Sequence, residues 1–270
     1  MARAAAKIAL FLGLAAVAVV SYLFLLSVLR GKLGNFSAAV PAIALATLTL
    51  ILNWRFLRFD EGSLAELGFD APRVRIRQMA LGFVGGALTA EAWAVALWFV
   101  TSASWRPAPP FNSAAAAGSF SFIVFNNAAE ELLYRGYLFL LTARVYGRSV
   151  AIAGTSILFA LLHIQGGVPW QSALAGVLTS GLLFAVLFAR WHSVPLVLAF
   201  HVATNVVQEV IGLRISALTV AVPQYPTSPA AWSSYGVLAF VALINVAVAL
   251  GVWFSTGNQH RGTLRPVRAN

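Results

Sequence analysis

The chain has no cysteine, which excludes structural disulfides and thiolate metal sites. It is also poor in charge: 10% of its 270 residues are Asp, Glu, Lys or Arg, against about 25% in soluble domains. Eight residues are acidic, and only Lys7 and Lys32 stand beside the arginines among the basic ones. What takes the place of charge is apolar surface, with 60% hydrophobic residues and a mean hydropathy of +0.83. A soluble domain is excluded, and the fold class is all-α, a polytopic transmembrane helix bundle. About 20 apolar residues per crossing leaves room for roughly eight spans. The net charge of +10 would suggest nucleic acid in a soluble protein. Here the basic residues sit at the ends of apolar runs, where they orient the chain in a bilayer, and no nucleic-acid partner is expected.

The apolar runs set the order. Ile8–Leu29 and Phe36–Asn53 are spans one and two, and the first reads as a retained span rather than a cleaved signal. Arg55–Arg77 mixes five arginines with four acids and reads as an interfacial loop with a short amphipathic piece. Gln78–Val100 is span three. Arg106-Pro107-Ala108-Pro109-Pro110 cannot be regular helix. Asn112, Ser113 or Ser119 caps the next helix, expected to run to about Ala143. Val150–Ile164 is span five, stopped by Gln165-Gly166-Gly167-Val168-Pro169. Trp170–Ala189, Val194 to about Leu213, and Tyr235–Phe254 complete eight. The tail from Arg261 is basic and is expected to be disordered. Alternate loops hold 13 of the Lys and Arg residues and the others 4, which predicts both termini in the cytoplasm.

Span four contains Asn126-Asn127-Ala128-Ala129-Glu130-Glu131-Leu132-Leu133-Tyr134-Arg135-Gly136. A charge at the centre of a span costs about 2.5–3.5 kcal/mol on insertion scales, so such a cluster marks a functional site. Glu131 and Arg135 are one turn apart and should pair, whereas Glu130 is turned about 100° away and is left for another partner. Other spans add His163, His201, Asn205, Glu91 and Glu209. His201, Asn205 and Glu209 recur every four residues and line one side of their helix. Counted from Arg144 and Arg148, Glu130 and His163 lie roughly 21 to 23 Å deep, and His201 and Asn205, counted from Ser193, roughly 12 and 18 Å. In a core of about 30 Å these groups can converge on one buried pocket. Glu91 and Glu209 are read as partners of Arg135 or Arg214, or as lining residues. The Phe and Trp residues are read as lipid-facing or interfacial.

Three patterns follow one another on successive helices: Glu-Glu-x-x-x-Arg at 130, 131 and 135, Phe-x-x-x-His at 159 and 163, and His-x-x-x-Asn at 201 and 205. Together they resemble the CPBP family of intramembrane endopeptidases, which takes in type II CAAX prenyl proteases and bacteriocin-processing or self-immunity proteins. The resemblance covers Phe120 to Val210. It implies a core at residues 118–213, preceded by helices and an interfacial loop at 1–117 and followed by a loop, last span and tail at 214–270. It further implies an intramembrane endopeptidase in which Glu130 is general base, His163 helps hold the water, and His201 and Asn205 donate to the oxyanion. Glu131 and Arg135 are the implied structural support. The substrate would be a membrane-associated peptide or protein, in a multi-pass protein of a bacterial cell membrane. Sixteen arginines against two lysines, with abundant alanine, are what suggest a GC-rich bacterial genome.

Other readings stand beside this one. Glu130, Glu131 and Arg135 would serve as a packing ion-pair network, His163 as an interfacial histidine, and His201 and Asn205 as interhelical hydrogen bonds. The chain would then be a non-enzymatic membrane scaffold or a bacteriocin-immunity protein of the same fold. A proton-coupled transporter is disfavoured by the lack of paired broken-helix repeats. No cofactor is expected. Zinc on Glu130, His163 and His201 is the alternative, weakened by Asn as a poor ligand and by the absence of a His-Glu-x-x-His helix.

Overall fold

The computed structural model describes residues 1–70, 72–108, 110–226 and 231–255, with backbone alone at 231–234. The basic tail from Arg261 and His260 lies outside the described residues. The protein is an integral membrane bundle of helices. α1 (Ala2–Leu29) and α2 (Ala39–Phe59) are followed by a 3-10 turn at Leu64–Leu67 and then α3 (Pro72–Thr101). α4 (Ser113–Arg135), α5 (Tyr137–Tyr146) and α6 (Arg148–Gln165) form the centre of the chain. A short α7 (Trp170–Ser172) leads through a π-helical turn at Ala173–Leu178 into α8 (Thr179–Trp191). α9 (Val194–Val210) and α10 (Ala231–Phe254) close it. Among the described residues, six helical segments are long and apolar enough to cross a membrane, and α9 is a shorter apolar helix. α4, the expected fourth crossing and the helix with the site in it, is not among the six.

Large apolar side chains such as Phe24, Leu88, Phe99 and Leu243 stand on the outside of α1, α3 and α10, as lipid contact requires. The interior is built on Phe11, Leu57, Tyr137–Leu141, Leu183–Phe188 and Val194–Val197. α3 and α9 run side by side at unusually close range. A Cβ at Gly82 would overlap the Leu196 carbonyl, and one at Gly86 the Phe200 carbonyl. This is the small-residue contact by which membrane helices bring their backbones together.

Three features depart from the sequence reading. The fourth span is two helices, because the chain breaks at Gly136 (φ −81°, ψ −139°) between α4 and α5. The Pro-rich stretch opens with a strand, β1 (Ser104–Pro107), paired antiparallel with β2 (Ala221–Gln224) in the register Ser104 to Gln224. Trp105 Nε1 adds a hydrogen bond of 2.9 Å to the Ile211 carbonyl, tying this ribbon to the end of α9. Finally, Phe159 and Phe184 are buried within the bundle rather than facing lipid.

The loops that the arginine count groups together do meet on one side. Lys7 pairs with Asp60, and Arg144 with Glu66. Ser193, the N-cap of α9, accepts from Leu196 N at 3.3 Å while its Oγ donates to Gln78 at 2.6 Å.

Candidate functional site

α4 starts where a capping side chain allows it: Asn112 Oδ1 accepts from Ala115 N at 3.0 Å. From there its last two turns carry the acidic pair inward. Glu131 is fully buried, and its Oε1 lies 3.4 Å from Arg135 Nη1, the expected one-turn pair. Arg135 is also fully buried. Its Nη2 donates to the Gly181 carbonyl at 2.9 Å, and its guanidinium lies 5.0 to 5.6 Å from the ring centres of Phe159, Phe184 and Tyr134. An ion held at both its hydrogen-bonding edge and its π-faces is locked in orientation.

Glu131 has a second partner that the spacing did not disclose. His201 Nδ1 sits 2.8 Å from the same Oε1. A carboxylate paired with arginine accepts, so Nδ1 carries the proton and Nε2 is turned to Glu130, 3.8 Å away. One imidazole from α9 thus bridges both carboxylates of α4. Phe184, with its ring centre 4.6 Å from that of His201, backs the imidazole.

Glu130 is partly exposed and accepts a hydrogen bond of 2.7 Å from Asn126 Nδ2, one turn earlier. His163 donates from Nδ1 to the Phe159 carbonyl at 2.8 Å, which leaves its Nε2 as the free ring nitrogen. Among the described residues it forms no ion pair with either carboxylate. It joins the group through Phe159, whose ring centre lies 4.4 Å from that of His163 and 6.2 Å from that of His201. Asn205 Nδ2 donates to Asn127 Oδ1 at 3.1 Å, which leaves its second N–H uncommitted to that bond. Glu130, Glu131, Arg135 and His201 are therefore in direct contact as a group, Asn205 is tied to the same helix through Asn127, and His163 stands at the edge.

Of the two readings offered for Glu91 and Glu209, arginine partner or lining residue, the first is not what the structure shows. Neither pairs with Arg135 or Arg214 among the described residues; Glu91 is exposed, and Glu209 is buried with Oε2 lacking a hydrogen-bond partner. Asn126 and Asn127 are the residues that the sequence reading left without a role. For Asn126 the signal was the spacing itself, one turn before Glu130; Asn127, whose partner Asn205 is on α9, had none. No group of three or more His, Asp or Glu among the described residues is arranged to hold a metal ion.

Residues 112–207 match the family model of the type II CAAX prenyl endopeptidase Rce1-like proteins. Over this stretch the chain is similar to that family. The match begins at the N-cap of α4 and ends within α9, so the Rce1-like core contains all seven residues of the three motifs. It leaves α1 to α3 and α10 outside. No curated protein and no solved structure matches the chain.

Proposed function

We propose that the protein is an intramembrane endopeptidase that cleaves a membrane-associated peptide or protein by an activated water. The observation that carries this reading is the bridge formed by His201 between Glu130 and Glu131 inside the Rce1-like core. It supports a division of labour between the carboxylates. Glu131 orients His201 and neutralises Arg135, while the more exposed Glu130 meets the water.

In this reaction Glu130 takes a proton from water as the water oxygen bonds to the scissile carbonyl carbon. His163 Nε2 accepts the other water hydrogen and fixes its direction. The carbonyl π pair moves to oxygen, and the resulting oxyanion is held by His201 Nε2 and by the second N–H of Asn205. Donation from Nε2 requires a proton there as well as on Nδ1. His201 acts in this step as a cation; with Glu130 now protonated, the set Glu131, Arg135 and His201 carries one net positive charge, which the oxyanion neutralises. When the C–N bond breaks, the leaving nitrogen takes the proton held by Glu130. The oxyanion pair returns to the carbonyl as that bond breaks, and the new carboxylic acid passes its proton to the released amine, so the products are a carboxylate and an ammonium group. No step requires a metal.

The test is cleavage of a quenched-fluorescent peptide library by the purified protein in lipid. Wild type is expected to cleave, Glu130→Gln to lose about 10²- to 10⁴-fold in kcat, and added chelator to change nothing. Loss of activity on chelation would replace this mechanism with a metal-dependent one. Undiminished cleavage by Glu130→Gln would sink the assignment of the base.

A further inference from the structure

Asn53 lies on α2, outside the Rce1-like core, and is fully buried. Its side chain is inserted into the backbone of another helix. Nδ2 donates to the carbonyl of Leu132 at 2.9 Å and to that of Thr49, one turn back in α2, at 2.8 Å. Oδ1 accepts from the amide of Tyr137 at 2.6 Å. Leu132 belongs to the last turn of α4 and Tyr137 is the first residue of α5, so one carboxamide satisfies the chain on both sides of the break at Gly136. A helix break leaves such groups unpaired, and inside a membrane there is no bulk water to take them. Gly136 is the residue that admits the clip, because a Cβ there would overlap both Asn53 Oδ1 and the Leu132 carbonyl.

We propose that Asn53 is a positioning residue for the Glu131, Arg135 and His201 assembly, acting by holding the α4–α5 break open. The kinetic part of this proposal rests on the peptidase reading; the structural part does not. Leu132 lies between Glu131 and Arg135 in the same helical turn, so the clip fixes the backbone that carries both. Glu131 in turn sets His201. The nearest alternative to the clipped break is a continuous helix in which the Tyr137 amide turns back to the Leu133 carbonyl. That helix would carry Tyr137 away from its side-chain hydrogen bond of 2.8 Å to Asp60 and its ring contacts with Phe11 and Phe56, or would drag the last turn of α4 with it. Only a side chain with a donor and an acceptor in one plane serves both sides. Aspartate keeps the acceptor and leucine keeps neither.

The experiment uses the full chain in lipid, with Asn53→Leu and Asn53→Asp read in three ways: kcat and KM, hydrogen–deuterium exchange at residues 132–138, and the ring ¹⁵N signals of His201. Asn53→Leu is expected to lower kcat about 100-fold with KM unchanged, as a small misplacement of catalytic groups does. It should also speed exchange at the Tyr137 amide and move the His201 signals. Asn53→Asp should fall between Asn53→Leu and wild type in all three, and it carries the test if Asn53→Leu does not fold. Wild-type kcat with faster exchange would overturn positioning and leave a purely structural clip. Unchanged exchange and unchanged His201 signals would overturn the clip itself. If the wild type shows no Glu130-dependent cleavage, the peptidase reading fails, while exchange and the His201 signals still decide for or against the clip.

Discussion

Asn126 holds Glu130 by a hydrogen bond from within the same helix, so one of the two contacts that orient the proposed base, beside that with His201, lies within α4. Removing that bond leaves the carboxylate in place but freer to rotate. Asn126→Ala is therefore expected to lower kcat about tenfold at unchanged KM, a loss of orientation rather than of the base. Steady-state cleavage of the library's best peptide would check it; a change confined to KM would assign Asn126 to substrate binding instead. The pairing of Glu131 with Arg135 and the separate direction of Glu130 were legible from one-turn spacing, because both lie within one helix. The bond from His201 to Glu131 was not. It joins α9 to α4, and no periodicity within either helix encodes which face meets which.

At the scale of the helix, the sequence disclosed where elements begin and end better than how they meet. Asn112 and Ser193 cap α4 and α9 through local hydrogen bonds that residue type announces. The break after Arg135 was hidden because Gly136 is tolerated inside a helix, and its cause, Asn53, sits on α2. The contact of α3 with α9 has the same character: Gly82 and Gly86 are spaced by one turn, but their partners are backbone atoms of a distant segment. Gly86→Val would force the two helices apart at the Phe200 carbonyl. It should cost about 1–3 kcal/mol or more, seen as an earlier thermal unfolding transition in detergent. Gly13→Val on α1, where a Cβ meets nothing within 4 Å, is the matched control and should leave the transition in place.

For the whole molecule, the sequence divides the loops into two alternating sets, one with 13 of the Lys and Arg residues and one with 4, which predicts that the first set is cytoplasmic. The absence of cysteine makes this directly measurable, since any introduced thiol is the only one. With both termini in the cytoplasm, a membrane-impermeant maleimide added to intact cells should label Leu33→Cys and spare Ala65→Cys, both of which are exposed sites. The reverse pattern would invert the topology. That the chain is a membrane helix bundle was readable from composition, because a bilayer demands long apolar runs; the count was not, since six segments among the described residues are long and apolar enough to cross where eight were expected. The ribbon of β1 with β2 was not, because four residues per strand give too short a pattern and the partners are far apart. The join between Asn53 and Gly136 reaches across the same kind of distance, and it ties the chain's history as well as its shape. Among relatives the two positions are expected to change together: a sequence with any side chain where Gly136 stands should also have lost the amide where Asn53 stands.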